Sequence, residues 1–202
     1  MSNEGRINMN QKSKEEMLLS FGKACLDWEF VKDKVQVQIR PKSEEQAIKR
    51  DFLDLEAIIG VYNDECEAWI EYKASVLNIL NVSEDELFET ARNNMMQNCC
   101  FAVVHGEHIL IAATNNAMHK GAGMMYSTEV LDQLCSMFNV SKLFVIPSSV
   151  HEILAVPYRN DPEIIDFINE SIQEINDTEL NPMDILSDHV YIYDSDLKKL
   201  YF

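Results

Sequence analysis

LFVIPSSVHEILAVP, residues Leu143 to Pro157, is the stretch whose reading decides the fold. Two apolar runs, Leu143–Ile146 and Ile153–Val156, flank a polar centre of Ser148, Ser149, His151 and Glu152. Runs this short and this rich in Val and Ile read as buried strands, too brief for helices. Pro147 has no N–H to give a ladder and is expected to end the first strand, as Pro157 ends the second. The five residues from Pro147 to His151 then fit a tight hairpin, with serine hydroxyls bonding nearby N–H groups. A hairpin apolar on both strands belongs in the middle of a sheet with cover on each face.

On either side the chain alternates between helix and strand signals. Met17, Leu18, Phe21, Cys25 and Trp28 recur at helical spacing between Lys14 and Phe30, after a polar arm over residues 1–13. Val35, Val37 and Ile39 alternate with glutamines and predict a strand ending at Pro41. Ser43 with Gln46 is a capping-box pattern, worth about 1 kcal/mol, and Ile48, Phe52, Leu55, Ile58 and Ile59 predict a helix that stops at Gly60. A boundary is expected there, between an N-terminal helix-strand-helix part (1–60) and an acidic α+β domain (61–202).

In that second part Glu67–Ala74 reads as a strand and Ser75–Leu80 as a short helix. Ser83 and Glu86 start a further helix. Cys100–Val104 and Ile109–Ala113 form a hairpin around His105-Gly106-Glu107, Gly121–Tyr126 a strand, and Ser127 caps a helix. Asp161-Pro162-Glu163 opens a helix with Ile164, Ile165, Ile168, Ile172 and Ile175 along one face, and Val190–Tyr193 is a last strand. Hairpins outnumber crossovers. The expected class is α+β, a mixed but mainly antiparallel sheet with helices on its faces and an N-terminal helical part.

At 202 residues, with 47% apolar and 25% charged, the chain has the composition of an ordinary globular protein. No apolar run reaches a membrane span and MSNEGRINMNQKSKEE has no secretory core, so the expected setting is cytoplasmic. Cys25, Cys66, Cys99, Cys100 and Cys135 match no zinc or CxxC spacing and read as small buried hydrophobes in a reducing compartment. The net charge of −17 is uneven. Residues 1–60 hold ten Lys/Arg and eleven Asp/Glu, a net of −1, whereas 61–202 hold seven and twenty-three, a net of −16. Phosphate backbones bind by releasing counterions to Lys and Arg, so direct binding of nucleic acid or an anionic membrane is disfavoured. A partner protein with a basic surface is compatible with this charge.

Four stretches resemble a family of bacterial proteins, domain-of-unknown-function family 5688. They are NVSEDELFETARNN (Asn81–Asn94), IPSSVHEILAVP (Ile146–Pro157), DPEIIDFINESIQEIN (Asp161–Asn176) and PMDILSDHVYIYD (Pro182–Asp194). The resemblance runs from Asp64 to Asp194, about two thirds of the chain. It implies a shared fold and a cytosolic setting in Gram-positive gut anaerobes and their mobile elements. It supplies no activity.

Ser149 and His151 are the candidate catalytic pair, because a serine nucleophile needs a base within reach and a third group to orient that base. No GxSxG elbow surrounds either serine, and a turn with backbone-bonded hydroxyls explains the same residues. Ser148, Glu152 and His189 are the candidate binding residues. His105 and His108 stand in a turn with no third ligand, His119 and His189 are isolated, and Gly121-Ala122-Gly123 is too short to cradle a dinucleotide. No metal or cofactor is expected, and the balance falls against catalysis. The leading reading is a non-catalytic interaction or regulatory protein. The alternatives are an acidic decoy that occupies the basic groove of a nucleic-acid enzyme, as a mobile-element or phage counter-defence protein would, and a Ser/His hydrolase.

Overall fold

A computed structural model describes the backbone of residues 3–106 and 108–202, with side chains from Lys14 onward. The hairpin at the centre of the sequence is also central in space. β7 (Lys142–Ser149) and β8 (Glu152–Pro157) pair antiparallel from Leu143↔Pro157 to Ile146↔Leu154. They occupy the middle of a six-stranded sheet with β5 (Cys99–His105), β6 (Ile109–Asn115), β9 (Tyr191–Asp194) and β10 (Lys199–Tyr201), in the order β10-β9-β7-β8-β6-β5. Leu143, Val145, Ile153 and Ala155 enter the main core. Phe144, Ile146 and Val156 take the opposite face, under Ile164, Ile165, Ile168 and Ile172 of α6 (Pro162–Thr178). Both faces are covered, as two apolar strands require.

The turn differs from expectation. Pro147 does not end β7; the strand continues to Ser149 through a register shift between Ile146 and Ser149, and only Val150 and His151 lie between the strands. The irregularity falls where the proline has no N–H to offer, so no ladder bond is lost.

A second sheet holds β1 (Val35–Pro41), β2 (Lys49–Phe52), β3 (Leu55–Asn63) and β4 (Ala68–Glu71), with β3 flanked by β1 on one side and by β2 and β4 on the other. Every pairing in both sheets is antiparallel. The helix expected from Ser43 to Gly60 is instead the β2–β3 hairpin. Leu53, at φ 59°, and Asp54 make its two-residue turn. Ser43 donates its hydroxyl to Glu56 Oε1 at 3.0 Å and caps no helix. The expected boundary at Gly60 lies inside β3. Val37, Ile39, Ala57 and Ile59 of this sheet share one buried core with Ile111, Val145 and Ile153 of the other.

The helices follow their caps. α1 runs Asn3–Ala24, so most of the expected arm is helical, with no proline to stop it, while residues 1–2 lie outside the described part. α2 (Trp28–Val31) starts on Asp27 and α3 covers Ser75–Leu80. α4 (Glu84–Asn98) starts on Ser83, whose hydroxyl accepts from Glu86 N–H at 3.1 Å, and α5 (Thr128–Phe138) on Ser127. Gly121–Tyr126, expected as a strand, is a buried 3₁₀ helix. It lies against the outer edge of β1, where a Cβ on Gly123 would sit 2.0 Å from Val37 O. β2 and β10 were not expected; they are four and three residues long. All five cysteines are free, and Cys99 and Cys100 are half-buried and exposed rather than core residues, because β5 is an edge strand. Among the described residues no helix is long and apolar enough to cross a membrane.

Candidate functional site

The β7–β8 turn places Ser149 and His151 side by side without pairing them. Ser149 Oγ accepts from the His151 backbone N–H at 3.0 Å, which is a turn bond. The imidazole faces elsewhere. Its Nδ1 accepts from Lys120 N–H at 3.2 Å, and its Nε2 lies 3.3 Å from Asp184 Oδ1. An acceptor at Nδ1 and a carboxylate at Nε2 put the proton on Nε2. With both ring nitrogens engaged in this way, His151 is not placed as a base for Ser149. Ser148 Oγ is 3.5 Å from Glu152 Oε1, at the limit of a hydrogen bond, and among the described residues joins no further group.

What converges on His151 is a column of rings and charges from four segments. The Tyr62 ring on β3 stacks on His119 at 4.4 Å between centroids, and His119 leans on His151 at 5.1 Å. Asn115 sets the loop after β6: its amide donates to Gln36 Oε1 at 3.0 Å and to His119 C=O at 2.8 Å, and its oxygen accepts from His119 N–H. Thr114 Oγ1 donates to His151 C=O at 2.7 Å, and Val150 N–H to Asp184 C=O at 2.9 Å. The cluster therefore ties the two sheets together. Burial, then the neighbouring His151 and Lys120, hold the His119 imidazole below its ordinary 6.5. Burial also lowers the Lys120 ammonium, against the pull of Glu71 and Asp184.

As pH falls through 6.5 the unfolded chain takes up a proton at residue 119 before the folded chain does, so stability declines there. A proton NMR titration is expected to place the His119 midpoint below 6.5, and His151→Ala to move it upward. A midpoint unmoved by that substitution would show that His151 does not act on it.

His189 is separate. Its Nε2 is 3.2 Å from Asp54 Oδ2, and its ring lies 4.6 Å from that of Phe202. Tyr191 donates its hydroxyl to Asp54 Oδ1 at 2.8 Å, so the β2–β3 turn is held to β9 through one carboxylate. Burial raises the Tyr191 phenol. Among the described residues no three His, Cys, Asp or Glu groups are placed to hold a metal. Two open clefts, of about 440 Å³ beside Asp132, Cys135 and Lys198 and about 510 Å³ beside Glu45, Glu71 and Lys73, involve none of Ser148, Ser149, His151, Glu152 or His189.

Sequence reasoning picked out His151 and missed Lys120 and Asp184, which reach it across tens of residues, and Tyr62, which stacks on His119; none shares a motif with it. The outward side of α6 is the other notable surface. Glu163, Asp166, Glu170, Glu174 and Asp177 are all exposed, and Phe167 among them is 68% exposed. The helix contains no Lys, Arg or His. Among the described residues, none of these carboxylates is in an ion pair.

No curated protein and no solved structure matches the chain. The stretch from β5 through β9 contains the β7–β8 hairpin, α6 and the Pro182–Asp194 segment. Residues 100–195, which take in nearly all of that stretch, match a family of unknown function (DUF5688), and it is that family the chain resembles.

Proposed function

We propose that this is a non-catalytic interaction protein of the cytoplasm that receives a basic protein surface on the outward face of α6. One observation carries this reading: Phe167 stands exposed in the middle of a helix whose exposed side chains include five carboxylates and no basic group. Exposed aromatics ringed by polar groups are typical anchors of protein interfaces. Glu174, Asp177 and the C-cap Glu179 also crowd the end of the helix where its dipole is negative. Each such contact is unfavourable by about 0.3–1 kcal/mol in the free protein and is relieved by a partner's cations. The same charges repel phosphate backbones and anionic lipid. A decoy of nucleic acid would need two rows of carboxylates, and α6 offers one. The hydrolase reading would need a base for Ser149 other than His151.

Affinity capture at two salt concentrations, with wild type, Phe167→Ala and Glu170→Lys, tests the proposal. The expected result is a partner lost in both variants and weakened by salt, since charges farther apart than about 8 Å are screened at physiological ionic strength. Capture of the same partner unchanged by both substitutions would remove α6 as the surface.

A further inference from the structure

β5 is the outermost strand of the six-stranded sheet and, among the described residues, pairs only with β6. From Cys99 to His105 it contains no Lys, Arg, Asp, Glu or Pro, in a chain of net charge −17. Val103 and Val104 are 50% and 41% exposed, and Ile109 beside them 56%. Edge strands are normally blunted by charge, proline or a bulge. This one has none of these.

The ladder fixes which backbone groups point outward. Asn116 N–H donates to Asn98 C=O, so Asn98 and Asn116 form a bonded pair. Antiparallel pairs alternate, which makes Cys100↔Thr114, Ala102↔Ala112 and Val104↔Leu110 the bonded pairs of β5 with β6. The Tyr158 N–H to Lys142 C=O bond on the far side of β8 leads, strand by strand, to the same assignment. The free N–H and C=O groups are therefore those of Cys99, Phe101, Val103 and His105. Those four positions are symmetric about Ala102.

We propose that β5 pairs antiparallel with β5 of a second copy about a two-fold axis at Ala102. In that register Phe101 faces Val103 of the other copy and Cys99 faces His105, so every free group of either edge finds a partner. Side chains that then lie opposite, Phe101 with Val103, Ala102 with Ala102 and Cys100 with Val104, are uncharged. A foreign strand would need its own charge-free edge to fit here; a second copy supplies one by rotation. The product is a continuous sheet of two six-stranded halves. Rotation about an axis normal to the sheet keeps its faces, so both α6 helices stand on the same side.

Sedimentation equilibrium of the full chain tests this. Wild type is expected at twice the chain's 23.3 kDa, with the dimer tightened by salt because the two copies carry like charge. Ala102→Lys and Ala102→Glu each set like charges directly opposite one another and are expected to be monomers, while their equimolar mixture dimerises. Val103→Pro removes an N–H that the β5–β6 ladder does not use and is expected to give a monomer with its hairpin intact. Circular dichroism checks that each variant is folded. Wild type at the monomer mass over the whole concentration range would overturn the proposal. So would a folded Ala102→Lys protein that remains dimeric.

Discussion

Glu56→Ala is expected to lower the stability of the folded chain by about 3 kcal/mol at neutral pH, and the loss is expected to fade in acid. Glu56 is 3% exposed in the side chain and sits between Arg40 Nε at 2.7 Å and Lys49 Nζ at 2.9 Å, with the Ser43 hydroxyl at 3.0 Å. Burial alone would raise its pKa, but the hydrogen bonds from Lys49, Arg40 and Ser43 outweigh it and take the carboxyl from 4.5 down to about 2. A carboxylate depressed that far stabilises the fold by about 3 kcal/mol above the unfolded pKa, at about 1.4 kcal/mol per unit. That contribution is complete above pH 4.5 and is lost as pH falls toward 2. Removing one member of a buried ion pair strands its partners, which adds to the cost. Here the addition is limited, because Arg40 keeps Glu45 at 2.6 Å and Glu71 at 3.1 Å. Urea unfolding of wild type and Glu56→Ala at neutral and acid pH checks the argument. The two stabilities should converge in acid; a gap that stays constant would mean a packing defect rather than a lost charge.

Glu56 also shows why part of the fold was legible in the sequence and part was not. The β7–β8 and β5–β6 hairpins, α4, α5 and α6 are each announced by a nearby residue: Ser83, Ser127, the Asp161-Pro162 pair, or a turn between two apolar runs. The β2–β3 hairpin has no such marker. Ile48, Phe52, Leu55 and Ile59 fit a helical stripe as well as they fit a short half-buried strand followed by a strand buried on both sides. The difference is made at a distance. The other face of β3 is covered by Trp69, which lies over Gly60 so closely that a Cβ there would be 2.5 Å from the indole. Gly60 reads as a helix stop in the sequence and serves as a landing place for Trp69 in the fold. The candidate site divides in the same way. The Ser149–His151 turn bond is local and was within reach of the sequence. The ring stacking from Tyr62 through His119 joins residues with no shared pattern, and Asp184 meets His151 only because the segment after α6 returns to the turn.

Gly123→Ala is expected to be as damaging as any single methyl in the chain, at about 3 kcal/mol or more. Its Cβ would lie 2.0 Å from Val37 O and 3.0 Å from Val37 C. Both are backbone atoms of β1, which is held along seven residues to β3 and cannot swing aside as a side chain would. Overpacking against a movable neighbour costs about 1–3 kcal/mol, and a fixed neighbour places this site at or beyond the top of that range. The effect should also be directional. The 3₁₀ helix that contains Gly123 lies between the edge of β1 and strands β6 and β8, with Ala122 N–H donating to Val150 C=O at 3.2 Å. Pushing it off β1 loosens the joint between the sheets before it loosens either sheet. Hydrogen exchange is expected to quicken first at Ala122 and at the Lys120 amide bonded to His151, and only later within the β1–β3 ladder. Gly22→Ala provides the contrast. It adds the same methyl within α1, where nothing lies within 4 Å, and is expected to stabilise the chain by up to about 1 kcal/mol through helix propensity. If both alanines shift the urea midpoint alike, the contact with Val37 does not hold the two sheets together.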